Sequence, residues 1–256
     1  MATEKENALM AACLLGRNLL ENGGEIYRVE ESINFFLTAY GMCDCQIFAI
    51  PASIMVTITE ADVPLTRIER VKSTSQNLDK LSKFNDLCRT ACKDTPPISY
   101  ILARMEEIRQ ERPYSFKLDL LAYGCAGAFF CLFWGGTLAD GIVAFICGLA
   151  TKYCLGFMSR FKPNIFFLNL VSSAAIAYIA MAFVSVGIAD NYDKIIIGAI
   201  MALVPGVAVT NVMRDIIAGD LITGTTKLSE VLLVATSIAI GIALAISSIR
   251  WLGGVL

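Results

Sequence analysis

Between Ala202 and Asp220 an apolar run turns polar within a few residues, and the side chains there suit the handling of a charged solute. Pro205-Gly206 interrupts the run. Proline has no N–H and clashes with the preceding turn, and glycine loosens the backbone further. In lipid, backbone groups freed in this way are tolerated only where protein or a wet cavity satisfies them. Beyond the break, Thr210 and Arg214 are four residues apart, as are Asn211 and Asp215, which gives two adjacent polar rows on a helix. A helix restarting after Pro205 would aim backbone N–H groups at a carboxylate, and Arg214 would add a positive charge. Asp215 would carry a coupling proton or pair with Arg214. The alternative is a simple proline kink that leaves Arg214 and Asp215 in the headgroup zone. Asp220 reads as exposed in a re-entry or interfacial loop from Ala218 to Thr226.

A second charged cluster is Gly24-Glu25-Ile26-Tyr27-Arg28-Val29-Glu30. Glu25 and Arg28 are i,i+3 neighbours, as are Tyr27 and Glu30. The cluster reads either as a solvated helix face, where such pairs are weak, or as a gate. Lys152 continues a stripe of small residues spaced by four (Ala144, Gly148, Gly156). Such a stripe faces other helices, and a charge on it is costly enough to suggest function. A lysine stem that snorkels toward Arg160 is the competing reading. Asn164 and Asn169 fit helix-start and helix–helix hydrogen bonds. Cys43, Cys45, Cys88 and Cys92 have spacings that could hold zinc, but without glycine-rich knuckles they read as ordinary reduced thiols. The chain has no histidine, which excludes histidine-based acid–base chemistry and metal ligation. No metal or cofactor is expected.

The elements that position these residues fall into two parts. The chain is 56% apolar, with a mean hydropathy of +0.63, which is too apolar for an average soluble domain. Its formal charge of −2 argues against a nucleic-acid partner. Up to Ser115 there are 13 Lys/Arg and 16 Asp/Glu, against 8 and 7 afterwards, so the first part has the charge density of a soluble domain and the second that of membrane. Helices are expected over Glu4–Glu21, Glu25–Tyr40, Asn77–Cys92 and Ile98–Glu111, each with an apolar face at helical spacing. Phe48, Ile50, Ala52, Ile54, Val56 and Ile58 alternate at period two, the mark of a strand, with Pro51 as an edge, bend or break. A further strand is expected between Val63 and Val71, and Arg112-Pro113 reads as a hinge.

Five apolar spans follow, at about 116–136, 141–159, 165–189, 195–213 and 231–252. Each is near the roughly 20 residues a helix needs to cross the hydrocarbon core. Lys117, Arg160, Lys162, Arg214 and Lys227, with Arg109 and Arg112, would flank the inner side, and Lys194 and Arg250 the outer. The expectation is an α+β cytoplasmic domain, residues 1–115, followed by an all-α five-helix transmembrane bundle, residues 116–256, with the N-terminus in and the C-terminus out. Met1 to Asn7 is charged and leads to no short apolar core with a cleavage site, so the first membrane helix is expected to target the chain.

Taken together, Gly24–Glu30, the Phe48–Ile58 strand with Pro51, and Leu203-Val204-Pro205-Gly206 followed by Arg214-Asp215-Ile216-Ile217-Ala218-Gly219-Asp220 resemble the threonine/serine exporter (ThrE) family, in its shorter YjjP-type half. The likeness runs over nearly the whole chain in the same order. It implies export of small carboxylates across the bacterial cytoplasmic membrane, threonine and serine in fused members and succinate-type dicarboxylates in the split pair. The membrane gradient, carried by protons, would supply the energy. It also implies a separately encoded YjjB-like membrane protein that completes the carrier; a homo-oligomer is compatible with the chain. The transport residues would be Pro205, Gly206, Thr210, Asn211, Arg214, Asp215 and Lys152, with Glu25, Tyr27, Arg28, Glu30 and Asp220 as gating groups. No phosphate-binding Gly-x-x-x-x-Gly-Lys-Ser/Thr loop occurs. Two other classes fit the composition: a membrane-anchored enzyme, for which no Ser/His/Asp set is present, and a membrane scaffold or sensor, which has no need of a broken helix.

Overall fold

The structure, a computed structural model, describes residues 4–60, 63–72, 74–111, 114–161 and 163–251. The Arg112-Pro113 hinge, the charge of Lys162 and the end of the last span at Leu252 lie outside the described residues. The chain divides into two compact units, one formed by Met1–Arg112 with Thr210–Lys227, the other by Pro113–Val209 with Leu228–Leu256.

The first unit is built on α1 (Glu4–Glu21), which packs against α2 (Ile26–Ala39), strands β2 and β3, α3 (Leu78–Asp94) and α4 (Ile98–Gln110). Its wide apolar stripe is fully used: Ala8, Leu9, Ala11, Ala12, Cys13, Leu15, Leu19 and Leu20 are all buried. Gly16 lets α2 and the sheet come close, since a Cβ there would press on Ile33 and Ile54. Asn77 caps α3 by accepting the Lys80 N–H, and Thr95 ends that helix in the left-handed conformation.

The sheet is antiparallel in the order β1 (Cys45–Ile50), β2 (Ser53–Glu60), β3 (Val63–Arg70). Pro51 and Ala52 form the two-residue turn between Ile50 and Ser53. That turn breaks the alternation expected over 48–58. Opposed pairs across a hairpin share a face, so Ala49 lies with Ile54, and Ile47 with Val56, on the inner side. Phe48 is carried with Met55 and Ile68 to the outer face, where it is 56% exposed.

The second unit contains α5 (Phe116–Phe133), α6 (Leu138–Met158) followed by a 3-10 turn, α7 (Ile165–Ser185), α8 (Tyr192–Ile200), the first residues of α9 (Gly206–Ile217) and most of α10 (Leu221–Trp251). Ser115, Thr137 and Asn164 cap α5, α6 and α7 with their side chains. The small-residue stripe of α6 faces α5: a Cβ on Gly148 would run into the Tyr123 backbone, and one on Gly156 would meet Phe116.

Asp140 ties the ends of these helices together. It is wholly buried and accepts from the backbone N–H groups of Thr137 (2.9 Å), Asp190 (2.8 Å) and Asn191 (3.0 Å), and from the Asn191 side chain (2.9 Å).

The expected fold class needs correction. The chain is mostly helical, with one small three-stranded sheet set among the helices, and does not form an α+β cytoplasmic domain followed by five spanning helices. Four helices among the described residues are long and apolar enough to cross a membrane: α5, α6 with its 3-10 turn, α7 and α10. The stretch expected as a fourth span, 195–213, breaks into α8 and α9, of 9 and 12 residues. At about 1.5 Å per residue these reach roughly 14 and 18 Å, short of the ~30 Å core.

The break follows from Pro205. Residues 201–204 turn out of the helix, the Leu203 and Val204 N–H groups both returning to the Ile200 carbonyl, and α9 restarts at Gly206. The last helix is correspondingly longer than expected. It starts at Leu221 and takes in most of the loop anticipated from Ala218 to Thr226. With four candidate spans, the count that put the two chain ends on opposite sides of the membrane no longer holds.

Candidate functional site

The Gly24–Glu30 cluster and the Arg214–Asp220 cluster meet within the first unit. Asn22-Gly23-Gly24 ends α1 and starts α2, and Gly23 takes a positive φ of 96° that other residues rarely adopt. This turn sets Glu25 at the N-cap of α2, where its side chain makes no capping bond. The carboxylate is buried, 5% exposed, and turns instead to two arginines. Glu25 Oε1 receives Arg214 Nη1 at 2.6 Å, and Oε2 receives Arg28 Nε at 2.7 Å. Arg28 Nε also lies 3.1 Å from the Tyr27 hydroxyl. That bond, with the Glu25 carboxylate behind it, holds the Arg28 guanidinium above its ordinary value. One residue row away, Asn211 Nδ2 donates to the Gly23 carbonyl at 3.3 Å. Helix α9 is thereby fastened to the α1–α2 turn at two points, three residues and about one helical turn apart.

Asp215 follows Arg214 but points elsewhere. It is fully buried and pairs with Lys227 Nζ through Oδ2 at 2.9 Å, while Oδ1 has no hydrogen-bond partner. The pairing depends on a tight turn: Gly219 has a φ of 96°, and the Asp220 N–H closes back onto the Asp215 carbonyl at 2.9 Å. Glu30 accepts the Ala49 N–H at 2.7 Å. Its carboxyl is raised above the ordinary value, chiefly by burial and further by the negative charge of Asp220, with the Ala49 bond acting in the opposite direction. Asp220 thus stands near Glu30, on the same charged surface.

The other sequence candidates are placed differently. Pro205 and Gly206 belong to the second unit and open α9. The Gly206 N–H is used locally, by the Val204 carbonyl at 2.9 Å. Thr210 is exposed on the first turn of α9 that lies in the first unit. Lys152 is neither alone on its stripe nor reaching for Arg160: its ammonium bonds Asp119 Oδ2 at 2.8 Å and lies 5.1 Å from the Tyr123 ring centre. It ties α6 to α5. Asn164 caps α7, and Asn169 bonds the Ile165 carbonyl one turn back. Tyr27 and Glu30, the expected i,i+3 pair, turn to Arg28 and to Ala49 instead. Among the described residues no three Cys, Asp or Glu side chains gather as metal ligands. Burial pushes the Cys88 thiol up to about 12.

Sequence reasoning missed three partners. Lys227 read as one of several inner-side cations; its separation of twelve from Asp215, across a glycine turn, is the signal that could have paired them. Asp119 lies on the first turn of a greasy helix, and an acid there is ordinary dipole chemistry. The Glu25–Arg214 pair spans 189 residues, and no local pattern marks it.

The family profile of the threonine/serine exporters, ThrE, matches residues 11–249. A Mycobacterium tuberculosis protein named "Probable threonine/serine exporter" is 20% identical over 92% of this chain, which spans only 45% of that relative's length. An Escherichia coli protein named "Probable succinate transporter subunit YjjP" is 23% identical over 98% of this chain and 99% of its own. No solved structure matches.

Proposed function

This chain belongs to the threonine/serine exporter family, and on that footing we propose that it is one subunit of a secondary exporter of small carboxylates in the bacterial cell membrane. It is a multi-pass membrane protein, with four helices among the described residues long and apolar enough to cross. A second, YjjB-like membrane protein would complete the carrier, standing in for the part of the longer M. tuberculosis relative that this chain does not span. The related names divide between threonine/serine and succinate, and the chemistry common to them is a small solute bearing a carboxylate.

The observation that carries this reading is the 2.6 Å bond between Arg214 and the buried carboxylate of Glu25. Arg214 already holds a carboxylate, and its own side chain is 53% exposed. A substrate carboxylate would take the place of Glu25 on Arg214 by exchange. Glu25 would not be stranded, because Arg28 holds its other oxygen at 2.7 Å. A buried carboxylate left without a partner would cost several kcal/mol; one that keeps a partner makes the exchange nearly balanced. Asn211, bound to the Gly23 carbonyl, would let go in the same movement of α9. Pro205-Gly206 would serve as the flexible joint from which α9 moves.

The test is counterflow of labelled threonine, serine and succinate in vesicles holding this chain and its partner. Arg214→Gln is expected to abolish accumulation, and Pro205→Ala to slow it. Wild-type rates for both variants would rule out the assignment.

A further inference from the structure

A fully buried carboxylate oxygen without a donor is uncommon, and each instance calls for an explanation. Asp215 Oδ1 is one: the residue has no exposed surface, and only Oδ2 is engaged, by Lys227. The neighbouring charges are already committed or of the same sign. On the same helix Arg214 is bound to Glu25 of the α2 N-terminus, Asp220 sits in the following turn, and Glu30 of α2 lies close to Asp220. Lys227, on the second turn of α10, is the cation that reaches Asp215, and its side chain is 21% exposed.

Resting on the carrier reading above, we propose that Asp215 Oδ1 is the seat of the transported proton and that Lys227 is its switching counter-ion. A proton from water forms an O–H bond at Oδ1 without any protein hydrogen bond having to break there. The carboxylate passes from charge −1 to 0, and Lys227 remains an ammonium. Its bond to Oδ2 changes from a charge pair to a bond with a neutral acceptor. The tie between the end of α9 and the start of α10 weakens, and the lysine becomes free to turn toward water. Loss of the proton from the same oxygen re-forms the pair. Because Asp215 follows Arg214 directly, the helix end that the proton loosens is the one that carries the substrate arginine. This assigns to Lys227 a positioning role that neither its sequence context nor the related names point to.

The experiment uses the full chain with its membrane partner in vesicles, and separates exchange from net flux. Asp215→Asn keeps the shape and cannot gain or lose the proton. It is expected to lose the response of net flux to an imposed pH gradient. Lys227→Gln removes the charge that opposes protonation of Asp215, so the pH profile of net flux should move alkaline by about 1 unit or more. A pair that only holds structure would leave that midpoint unmoved. If Asp215→Asn fails to assemble, the Lys227→Gln profile decides alone. An intact gradient response in Asp215→Asn, or an unmoved profile in Lys227→Gln, overturns the proposal and leaves Oδ1 facing an ordered water only. Wild-type exchange with no gradient response also overturns it while sparing the carrier reading, whereas a wild type that moves no substrate sinks that reading instead.

Discussion

The Glu25–Arg214 bond sets a measurable expectation. Glu25 has lost nearly all its water, with a side chain 6% exposed, while Arg214 retains 53% of its exposure and Arg28 62%. A fully buried pair that loses one partner costs about 3–5 kcal/mol, and an exposed pair about 0–1. The Arg214 pair is buried on one side only, so Arg214→Gln should destabilise by about 2 kcal/mol, between those limits. Arg28→Gln, with the more exposed partner, should cost less, about 0.5–1 kcal/mol. A double-mutant cycle isolates the pair: Glu25→Gln and Arg214→Gln together should cost less than the sum of the singles by about 1–2 kcal/mol, because the second change removes a charge that has already lost this partner. Equilibrium unfolding of the full chain in mild detergent gives all four values. Additivity within about 0.5 kcal/mol, or an Arg28→Gln cost equal to that of Arg214→Gln, would refute the picture of a buried carboxylate held mainly by α9.

Three other outcomes follow from the remaining geometry. Glu30 has its carboxyl raised above the usual 4.5 by burial and by Asp220, so its contribution to stability is present below the unfolded value and lost as pH rises through the folded one. Glu30→Gln keeps an acceptor for the Ala49 N–H, and should raise the melting temperature at neutral pH with an advantage that fades at pH 4.5 and below. Burial pushes the Cys13 and Cys88 thiols up to about 12, so a maleimide should label exposed Cys43 in the folded chain and reach Cys13 and Cys88 only on unfolding, as mass spectrometry of the digested protein would show. Asp140→Ala strips the acceptor from three backbone N–H groups and one amide, and at roughly 1 kcal/mol each should cost about 3–4 kcal/mol, read as loss of folded protein in detergent extracts.

Local chemistry was legible in the sequence wherever the physics is local. The N-terminus of α3, the ends of α1 and α2, and the starts of α5 and α7 lie within about a residue of where the sequence puts them, with Asn77, Asn22-Gly23-Gly24, Gly41 and Asn164 at the boundaries, because a cap acts within one turn; α6 starts at Leu138, three residues before the expected 141, because Thr137 caps it. Parity in the first hairpin was not legible. Period two continues through Pro51 and Ala52 on paper, but a two-residue turn fixes a register in which Phe48 faces outward. The number of spans was misjudged for a related reason. Hydropathy over 195–213 averages across a residue that cannot continue a helix, so composition reads one long element where the backbone makes two short ones. Lys152 illustrates a third limit. Its stripe identified the face it shares with α5, but not that Asp119 waits there to neutralise it.

The pairing of charges bears most on mechanism, because it changes what Arg214 can do. Taken from sequence, Arg214 is a free cation ready for a carboxylate and Asp215 its neighbour or proton carrier. In the structure the two diverge: Arg214 is neutralised by Glu25, and Asp215 by Lys227. A resting site with its cation exposed would hold any passing anion tightly and release it slowly, since tighter binding shows mainly as slower dissociation. A site whose arginine already carries an internal carboxylate binds a substrate only by the difference between two similar bonds. That difference is small by construction, which favours turnover over retention. The same logic separates the two ion pairs. The one at Glu25 has an exposed arginine and a spare partner in Arg28, which under the proposed function would allow exchange with a solute. The one at Asp215 is closed to solvent on the carboxylate side and lacks a second donor, which under the proposal above leaves room for a proton and not for a solute.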